Sequence, residues 1–203
     1  MEKKRQQVVY LHGLSSSGQS TTAQRLRRTL AKHEVISPDI PVQPEVAVTE
    51  LKRLASMLRP DAIIVGTSMG GLYAQLFRGF RRILINPSFH TSRHLREHIG
   101  KRLPFHNPRH DGATDFEVSE KLVKKFEKLE SKQFDPKFGI IGKNKDDKNR
   151  VCAFFGTQDT VVNCKEEYLE HYGNAIDFEG GHRLDPNSTI TLVVPKILEM
   201  SEE

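Results

Sequence analysis

The sequence predicts an α/β protein with a doubly wound parallel sheet of about six strands and helices on both faces. Short apolar runs rich in β-branched residues alternate with longer runs in which apolar residues recur every three or four positions. Such strands and helices form parallel β-α-β units, and their right-handed crossovers cover both faces of one sheet. Because ligands bind beyond the carboxyl ends of such strands, functional residues are expected in the loops after them.

The predicted elements keep this alternation along the chain. Strands are predicted at residues 7–12, 34–39, 62–65, 82–85, 151–155 and 175–178. Turn-forming residues mark the ends of several of these runs, with Pro60 before the third strand and Pro87 after the fourth. Helices are predicted at residues 20–31, 45–58, 69–77, 165–172 and 189–200. The helix at residues 45–58 has the clearest apolar spacing, at Val48, Leu51, Leu54, Ala55 and Leu58.

Residues 88–150, between the fourth and fifth predicted strands, form a long polar and charged insertion. Helices are predicted at residues 91–101 and 118–131, with a loop at residues 104–109, and residues 143–149 are expected to form a solvated turn. Since the insertion leaves the sheet and returns to it, it is expected to cap the functional site. The alternative is that it packs only against the side of the sheet.

Length and composition narrow the class of protein. The chain has 203 residues and no Pro/Gly/Ser-rich linker, so residues 1–203 are expected to form one domain. A net charge of +5, without alternating aromatic and basic residues, does not indicate nucleic-acid binding. The apolar run at residues 8–11 is too short for a signal peptide or a membrane span. Cys152 and Cys164 do not make a disulfide framework, so a cytoplasmic location is expected.

Residues 66–70 read G-T-S-M-G and lie between a predicted strand and a predicted helix. This is the context in which G-x-S-x-G forms a nucleophile elbow, a sharp turn that holds a serine at the carboxyl end of a strand. Side chains at the flanking positions would clash there, so Gly66 and Gly70 suit the turn. Ser68 is therefore the candidate nucleophile, and the alternative is a glycine-rich turn with a surface serine.

A base and an acid come after Ser68 in the order that this chemistry needs. A serine hydroxyl is a poor nucleophile until a base takes its proton, and a carboxylate orients that base. His182, in E-G-G-H, lies just beyond the last predicted strand, and Asp159, in G-T-Q-D, lies just after the strand at residues 151–155. The order Ser68, Asp159, His182, each after a strand, is typical of the α/β-hydrolase fold. Taken singly, His182 could be a surface residue and Asp159 a turn residue.

An oxyanion hole requires two backbone N–H groups that face the developing negative charge. Met69, the residue after the nucleophile, is one candidate donor. Leu14 is the other, because it comes after the His12-Gly13 turn at the end of the first predicted strand. His12 is expected to brace this loop rather than to transfer protons.

Residues 13–20, G-L-S-S-S-G-Q-S, nearly match a phosphate-binding loop. Gln19 stands where that loop needs a lysine to contact the phosphates, so nucleotide hydrolysis is not expected. Turn and helix N-cap roles explain the serines better.

Three histidines in the insertion, His90, His94 and His98, are spaced by four residues, a spacing that can bind a metal. No acidic residue occupies the H-E-x-x-H position, and Arg93 and Arg96 lie among them, so a solvated basic helix face is expected and no metal. If this segment caps the site, its basic residues would attract a carboxylate or the phosphates of an acyl-coenzyme A.

The segments Y-L-H-G-L-S-S-S, G-T-S-M-G-G, I-N-P-S, G-T-Q-D-T-V-V and E-G-G-H resemble those of the small YqiA-type esterases, which are compact α/β-hydrolases. The resemblance covers nearly the whole chain and is weakest at residues 88–150. It implies hydrolysis of carboxylic esters or acyl thioesters, with Ser68, Asp159 and His182 as the matching triad. Neither a cofactor nor a metal is expected. Arg183 stands directly after His182, where an apolar or small residue is more usual.

The triad sets the chemistry and not the pocket, so two alternatives stay open. One is a serine peptidase, which uses the same three groups on a different acyl donor. The other is a binding protein that keeps the α/β-hydrolase fold without catalysis. The expected partner is a small-molecule acyl ester or thioester substrate, neither a nucleic-acid partner nor a membrane span is expected, and the oligomeric state stays open.

Overall fold

The computed structural model describes residues 5–141 and 147–202. Its strands are β1 (Gln7–Leu11), β2 (Glu34–Ile36), β3 (Ile63–Thr67), β4 (Phe77–Arg78), β5 (Arg81–Ile85), β6 (Arg102–Pro104), β7 (Asp115–Glu117), β8 (Ile140–Ile141), β9 (Val151–Gly156) and β10 (Ala175–Phe178). Its α-helices are α1 (Thr21–Thr29), α2 (Pro44–Met57), α3 (Met69–Gln75), α4 (Thr91–Arg96), α5 (Glu120–Glu130), α6 (Lys165–His171), α7 (Pro186–Ser188) and α8 (Val194–Glu202).

A six-stranded sheet with the order β10-β9-β5-β3-β1-β2 forms the centre of the molecule, and every neighbouring pair is parallel. All six predicted strands belong to it, which confirms the predicted doubly wound sheet. The chain runs from β1 outward to β2, then crosses back over β1 to β3 and continues to β10. The direction of winding therefore reverses between β1 and β3, where open α/β sheets form their ligand-binding crevice.

Helices cover both faces of the sheet, as a parallel sheet requires. Because side chains alternate along a strand, β1 contributes to two separate cores. Val8 and Tyr10 belong to one core with residues of α1 and α8, whereas Val9 and Leu11 belong to the other with residues of α2, α3, α5 and α6.

The first half of the insertion differs from its prediction in two places. Helix α4 ends at Arg96 instead of residue 101, because the chain turns at Gly100, whose φ is 83°. After this turn, the chain forms a short antiparallel hairpin of β6 and β7, part of which the sequence predicts as a loop. This hairpin lacks a clear apolar alternation, so its pairing is not visible in the sequence.

Helix α5 carries much of the insertion back onto the sheet. Its Leu122, Val123 and Phe126 join the main core, and the Ser119 side chain accepts a hydrogen bond from the Leu122 N–H and caps the helix. Helix α4 packs against α5 in turn. The insertion is therefore anchored to the sheet through α5, with α4 as its second helix.

Residues 142–146, most of the predicted solvated turn, lie outside the described residues. For Asp147 the prediction of a solvated residue is wrong. Its carboxylate is 2.6 Å from Nη2 of the fully buried Arg82 and accepts a hydrogen bond from the Gly79 N–H at 2.7 Å. A buried guanidinium needs such a counter-charge, and composition alone does not identify the partner.

The C-terminal helix is also less regular than the single helix that the sequence predicts. It begins as a π-helical segment at Thr189–Val193 and continues as α8 to Glu202, two residues beyond the prediction. Asp185 caps α7 just before it, accepting hydrogen bonds from the Asn187 and Ser188 N–H groups.

Candidate active site

Ser68 occupies the turn between β3 and α3 with φ 55° and ψ −121°, a region that residues with side chains seldom adopt. Glycines on both sides make this turn possible. A Cβ on Gly66 would stand 2.1 Å from the Gly70 carbonyl oxygen, and one on Gly70 would stand 2.0 Å from the Leu11 carbonyl oxygen. The backbone of α3 thus touches the end of β1, and Ser68 is held over the carboxyl edge of the sheet.

The structure brings the three predicted triad residues within hydrogen-bonding distance. Ser68 Oγ is 3.0 Å from His182 Nε2, and His182 Nδ1 is 2.8 Å from Asp159 Oδ2. With its proton on Nδ1, His182 donates to Asp159 and accepts from the Ser68 hydroxyl. The other carboxylate oxygen of Asp159 accepts hydrogen bonds from the Val161 and Val162 N–H groups at 2.8 and 2.9 Å, so both oxygens are held in place.

Asn86, at the end of β5, links the loops that carry His182 and Asp159. Its side-chain NH2 donates to the carbonyl oxygens of Gly181 and His182, each at 3.0 Å, and its Oδ1 accepts from the Gly156 N–H at 2.7 Å. The residue is buried and has φ 42°, a conformation that asparagine tolerates well. The sequence pattern identified Asn86 only as the end of a strand. An Asn-Pro pair directly after a buried strand is the signal that could have found it.

The same two loops also touch through their backbones. The N–H of Thr157 donates to the Phe178 carbonyl, and that of Gln158 to the Gly180 carbonyl, both at 2.9 Å. A Cβ on Gly156 would stand 2.5 Å from the Gly180 oxygen, so this approach requires glycine. Asp159 and His182 are therefore positioned by main-chain contacts as well as by Asn86.

Both predicted oxyanion donors lie beside Ser68. Met69 is the first residue of α3, so its N–H has no partner within the helix. Leu14 and Ser68 line one cavity, and a Cβ on the adjoining Gly13 would stand 3.3 Å from the Ser68 Cβ. Their catalytic role stays a prediction.

His12 holds the loop that carries Leu14. Its Nδ1–H donates to the Gly13 carbonyl at 2.8 Å, and its Nε2 accepts from the Ile40 N–H at 2.9 Å. Burial lowers the pKa of His12 to about 4, so the ring is neutral at pH 7 and can make both bonds. This bracing arrangement is what the sequence led us to expect.

A cavity of about 940 Å³ opens onto Ser68 and His182. Loops after β1, β9 and β10 form much of its lining, and the insertion contributes α4 and residues 106–107. Hydroxyl side chains make up much of the surface, contributed by Ser15, Ser16, Ser20, Thr21, Thr22, Thr67, Ser88, Thr91 and Thr160. The arginines in the lining are Arg93 and Arg183.

Arg93, His94 and Arg96 are exposed, as expected, but they point in different directions, whereas His90 and His98 are half-buried. Arg93 and His94 line the cavity, whereas Arg96 forms an ion pair with Glu127 and is not part of the lining. Partial burial lowers the pKa of His94, and the charges of His98 and His182 lower it further, while Glu97 opposes the change.

Two other histidines of the insertion, His90 and His110, have acidic partners. His90 Nε2 is 2.7 Å from a Glu167 carboxylate oxygen, and His110 contacts Asp39. In the serine-rich loop, the Ser20 side chain accepts a hydrogen bond from the Ala23 N–H and caps α1, which accounts for the near match to a phosphate loop.

A parallel sheet with a serine at the turn after β3, and an acid and a base after β9 and β10, has the α/β-hydrolase fold. The model of the family described as "Uncharacterised protein family (UPF0227)" matches residues 7–190, and the chain belongs to this family. This membership and the fold confirm the resemblance to α/β-hydrolases of the YqiA type.

Solved structures with the same fold come from distant relatives. A monoacylglycerol lipase from Paleococcus ferrophilus is 15% identical, with 98% of this chain and 96% of that chain covered and a TM-score of 0.65. Est1E from Butyrivibrio proteoclasticus is 14% identical, with 98% and 90% covered and a TM-score of 0.61. FphF, a fluorophosphonate-binding serine hydrolase from Staphylococcus aureus, is 16% identical, with 100% and 86% covered and a TM-score of 0.58.

Within the part of the chain that the structure describes, no helix has both the length and the apolar character needed to cross a membrane.

Proposed function

We propose that this protein is a serine hydrolase that cleaves carboxylic esters or acyl thioesters through an acyl-enzyme on Ser68. The observation that carries the proposal is the chain of hydrogen bonds from Ser68 through His182 to Asp159, which faces a cavity of about 940 Å³. Family membership and the α/β-hydrolase fold support it. Ester- and acyl-cleaving chemistry also fits the descriptions of similar structures, among them a lipase and a fluorophosphonate-binding serine hydrolase.

In the proposed mechanism, Ser68 Oγ attacks the acyl carbon while His182 Nε2 takes the hydroxyl proton. Asp159 holds His182 in the required tautomer and stabilises the imidazolium that forms. The N–H groups of Met69 and Leu14 donate to the tetrahedral oxyanion. His182 then gives its proton to the departing alkoxide or thiolate, and a water molecule, activated by the same imidazole, releases the acid from Ser68.

Apolar side chains such as Leu14, Met69 and Val161 share the cavity lining with the hydroxyl groups, and we propose that small or polar acyl and alcohol groups fit it better than long alkyl chains. Hydroxyl groups buried against an alkyl chain lose their hydrogen bonds to water without replacement, which offsets the gain from burying the chain. Hydroxyl side chains near Ser68, such as Ser15, Thr67 and Thr91, can instead pair with a polar substrate. We further propose that the insertion at residues 88–150 acts as a partial cap within a single domain, and that the protein acts in the cytosol.

A fluorophosphonate probe tests the central step, because it labels a serine only when a base activates it. We expect the wild-type protein to be labelled and Ser68→Ala to be unlabelled. Ser16→Ala, which removes another hydroxyl of the same cavity, is the matched control and should label normally. Folded wild-type protein that resists the probe would instead favour the non-catalytic binding protein.

A substrate panel then separates the remaining possibilities. p-Nitrophenyl esters and acyl-coenzyme A thioesters from acetyl to palmitoyl, together with peptide amides, should be compared on the wild type and on Ser68→Ala. We expect the highest kcat/KM for short-chain esters or thioesters. Faster turnover of peptide amides would overturn the ester assignment and support a peptidase.

A further inference from the structure

Three side chains at the C-terminal end of α4, His94, Glu97 and His98, form a cluster that we call the α4 triad. Their ligand atoms all lie within 4.8 Å of one another. The spacing i, i+3, i+4 explains this proximity, since residues so spaced share one side of a helical turn. The imidazole rings of His94 and His98 lie 4.6 Å apart between centroids.

The hydrogen bond made by His98 suits metal binding. Its Nδ1–H donates to the His94 carbonyl oxygen at 2.9 Å, so the lone pair of Nε2 points away from the backbone and is available as a ligand. Metal-binding histidines commonly donate their second nitrogen to a carbonyl or carboxylate, which fixes the tautomer and the ring. The nearby Arg96 forms an ion pair with Glu127.

We propose that the α4 triad binds Zn²⁺ and that the bound ion inhibits the Ser68 site. Two imidazoles and one carboxylate are a donor set that Zn²⁺ accepts, with its fourth position left for water. Mg²⁺, which prefers oxygen ligands in an octahedral arrangement, does not fit this set. The proposal replaces the expectation that these histidines form only a solvated basic face.

The position of the α4 triad explains why the ion would inhibit. His94 and Glu97 line the same cavity as Ser68 and His182. A dication held there repels the imidazolium that forms on His182 during acyl transfer, and its bound water occupies space that the substrate needs. Inhibition rests on the proposed function, whereas binding of the ion does not.

Isothermal titration calorimetry with ZnCl₂ on the full chain measures binding without reference to activity. We expect one saturable site in the wild type, and binding weakened about tenfold or more in His98→Gln and in Glu97→Gln. His106→Gln is the matched control, because His106 lines the same cavity outside the triad and should leave Zn²⁺ binding unchanged. MgCl₂ should give no saturable binding.

The second readout is the rate of ester hydrolysis with ZnCl₂ divided by the rate without it, measured for each protein. The ratio should fall well below one in the wild type and in His106→Gln, and should return toward one in His98→Gln. Equal Zn²⁺ affinity in all variants, or no saturable binding in the wild type, would overturn the metal site. Binding without inhibition would overturn the inhibitory role, and inactivity of every variant without ZnCl₂ would count against the proposed function alone.

Discussion

Two sides of the cavity are built in different ways. The frame, by which we mean the loops after β1, β3, β5, β9 and β10, is held by main-chain contacts so close that Gly66, Gly70 and Gly156 have no room for a Cβ. The wall, formed by α4 and residues 106–107, presents exposed side chains, and a Cβ on the neighbouring Gly100 would meet nothing within 4 Å. Backbone contact fixes where Ser68, Asp159 and His182 lie, whereas side chains of the wall can change without moving these three residues.

The largest effect is expected from Asp159→Asn, because it alters the frame's chemistry without altering its packing. The amide oxygen can still accept from the Val161 and Val162 N–H groups, but an NH2 facing His182 forces the proton onto Nε2. That tautomer cannot accept the Ser68 proton, so kcat should fall about 10⁴-fold. Steady-state hydrolysis of a p-nitrophenyl ester measures this, with a thermal melt to verify folding. A loss smaller than tenfold in a folded variant would contradict the assigned role of Asp159.

Packing of the frame is tested by Gly70→Ala against Gly173→Ala. The added methyl at residue 70 would stand 2.0 Å from the Leu11 oxygen, whereas at residue 173 it would meet nothing within 4 Å. Overpacking of this kind should lower the free energy of unfolding by about 3 kcal/mol or more at residue 70. The change at residue 173 should stay within about 0.5 kcal/mol. Urea unfolding measures the free energy of unfolding of the two variants. Similar losses in both would show that the frame can accommodate the added methyl group.

His12, which belongs to the frame, should make the free energy of unfolding depend on pH. Burial lowers the pKa of His12 to about 4, so the folded chain binds this proton more weakly than the unfolded chain. The His12 contribution is complete above about pH 6.5 and is lost as the pH falls toward 4, a total of about 3 kcal/mol. Histidine ring resonances followed by NMR measure the titration directly. A His12 midpoint near 6.5 would show that its two hydrogen bonds do not hold the neutral ring.

The effects of Asn86→Gly and Asn107→Ala on kcat compare an asparagine of the frame with one of the wall. Glycine keeps the positive φ at residue 86 but removes the bonds to Gly181, His182 and Gly156. Misplacing the base and the acid should lower kcat about 10²-fold with little change in KM. Asn107 makes one side-chain bond, to Ser16, and its loss should leave kcat nearly unchanged. A KM effect at residue 86 would instead indicate direct contact with the substrate.

The same contrast explains what the sequence could predict. Ser68, Asp159 and His182 each come after a strand of the central sheet within a short glycine-containing motif, so local pattern and strand order together predicted their positions. Backbone geometry of this kind is encoded locally, because only a few residue types fit it.

The features that the sequence did not reveal depend on partners far along the chain. The side chain of Asn86 forms hydrogen bonds with residues that lie 70, 95 and 96 positions further along the chain. The buried Arg82 pairs with Asp147, which is 65 residues away. The β6–β7 hairpin and the direction of each charge on α4 likewise result from packing between segments. Side-chain pairing at such separations leaves no periodic signal in a single sequence.

The smallest effect is expected from charge in the wall. Arg93 lines the cavity and Arg96 does not, although the sequence treated both as possible contacts for a coenzyme A phosphate. Arg93→Gln should therefore raise KM for acyl-coenzyme A thioesters by up to about fivefold, which corresponds to the upper end of the range for an exposed ion pair. KM for neutral p-nitrophenyl esters should stay the same in Arg93→Gln. In Arg96→Gln, KM should stay the same for both the thioesters and the neutral esters. Equal effects of the two substitutions would mean that long-range charge, rather than a contact in the wall, attracts the substrate.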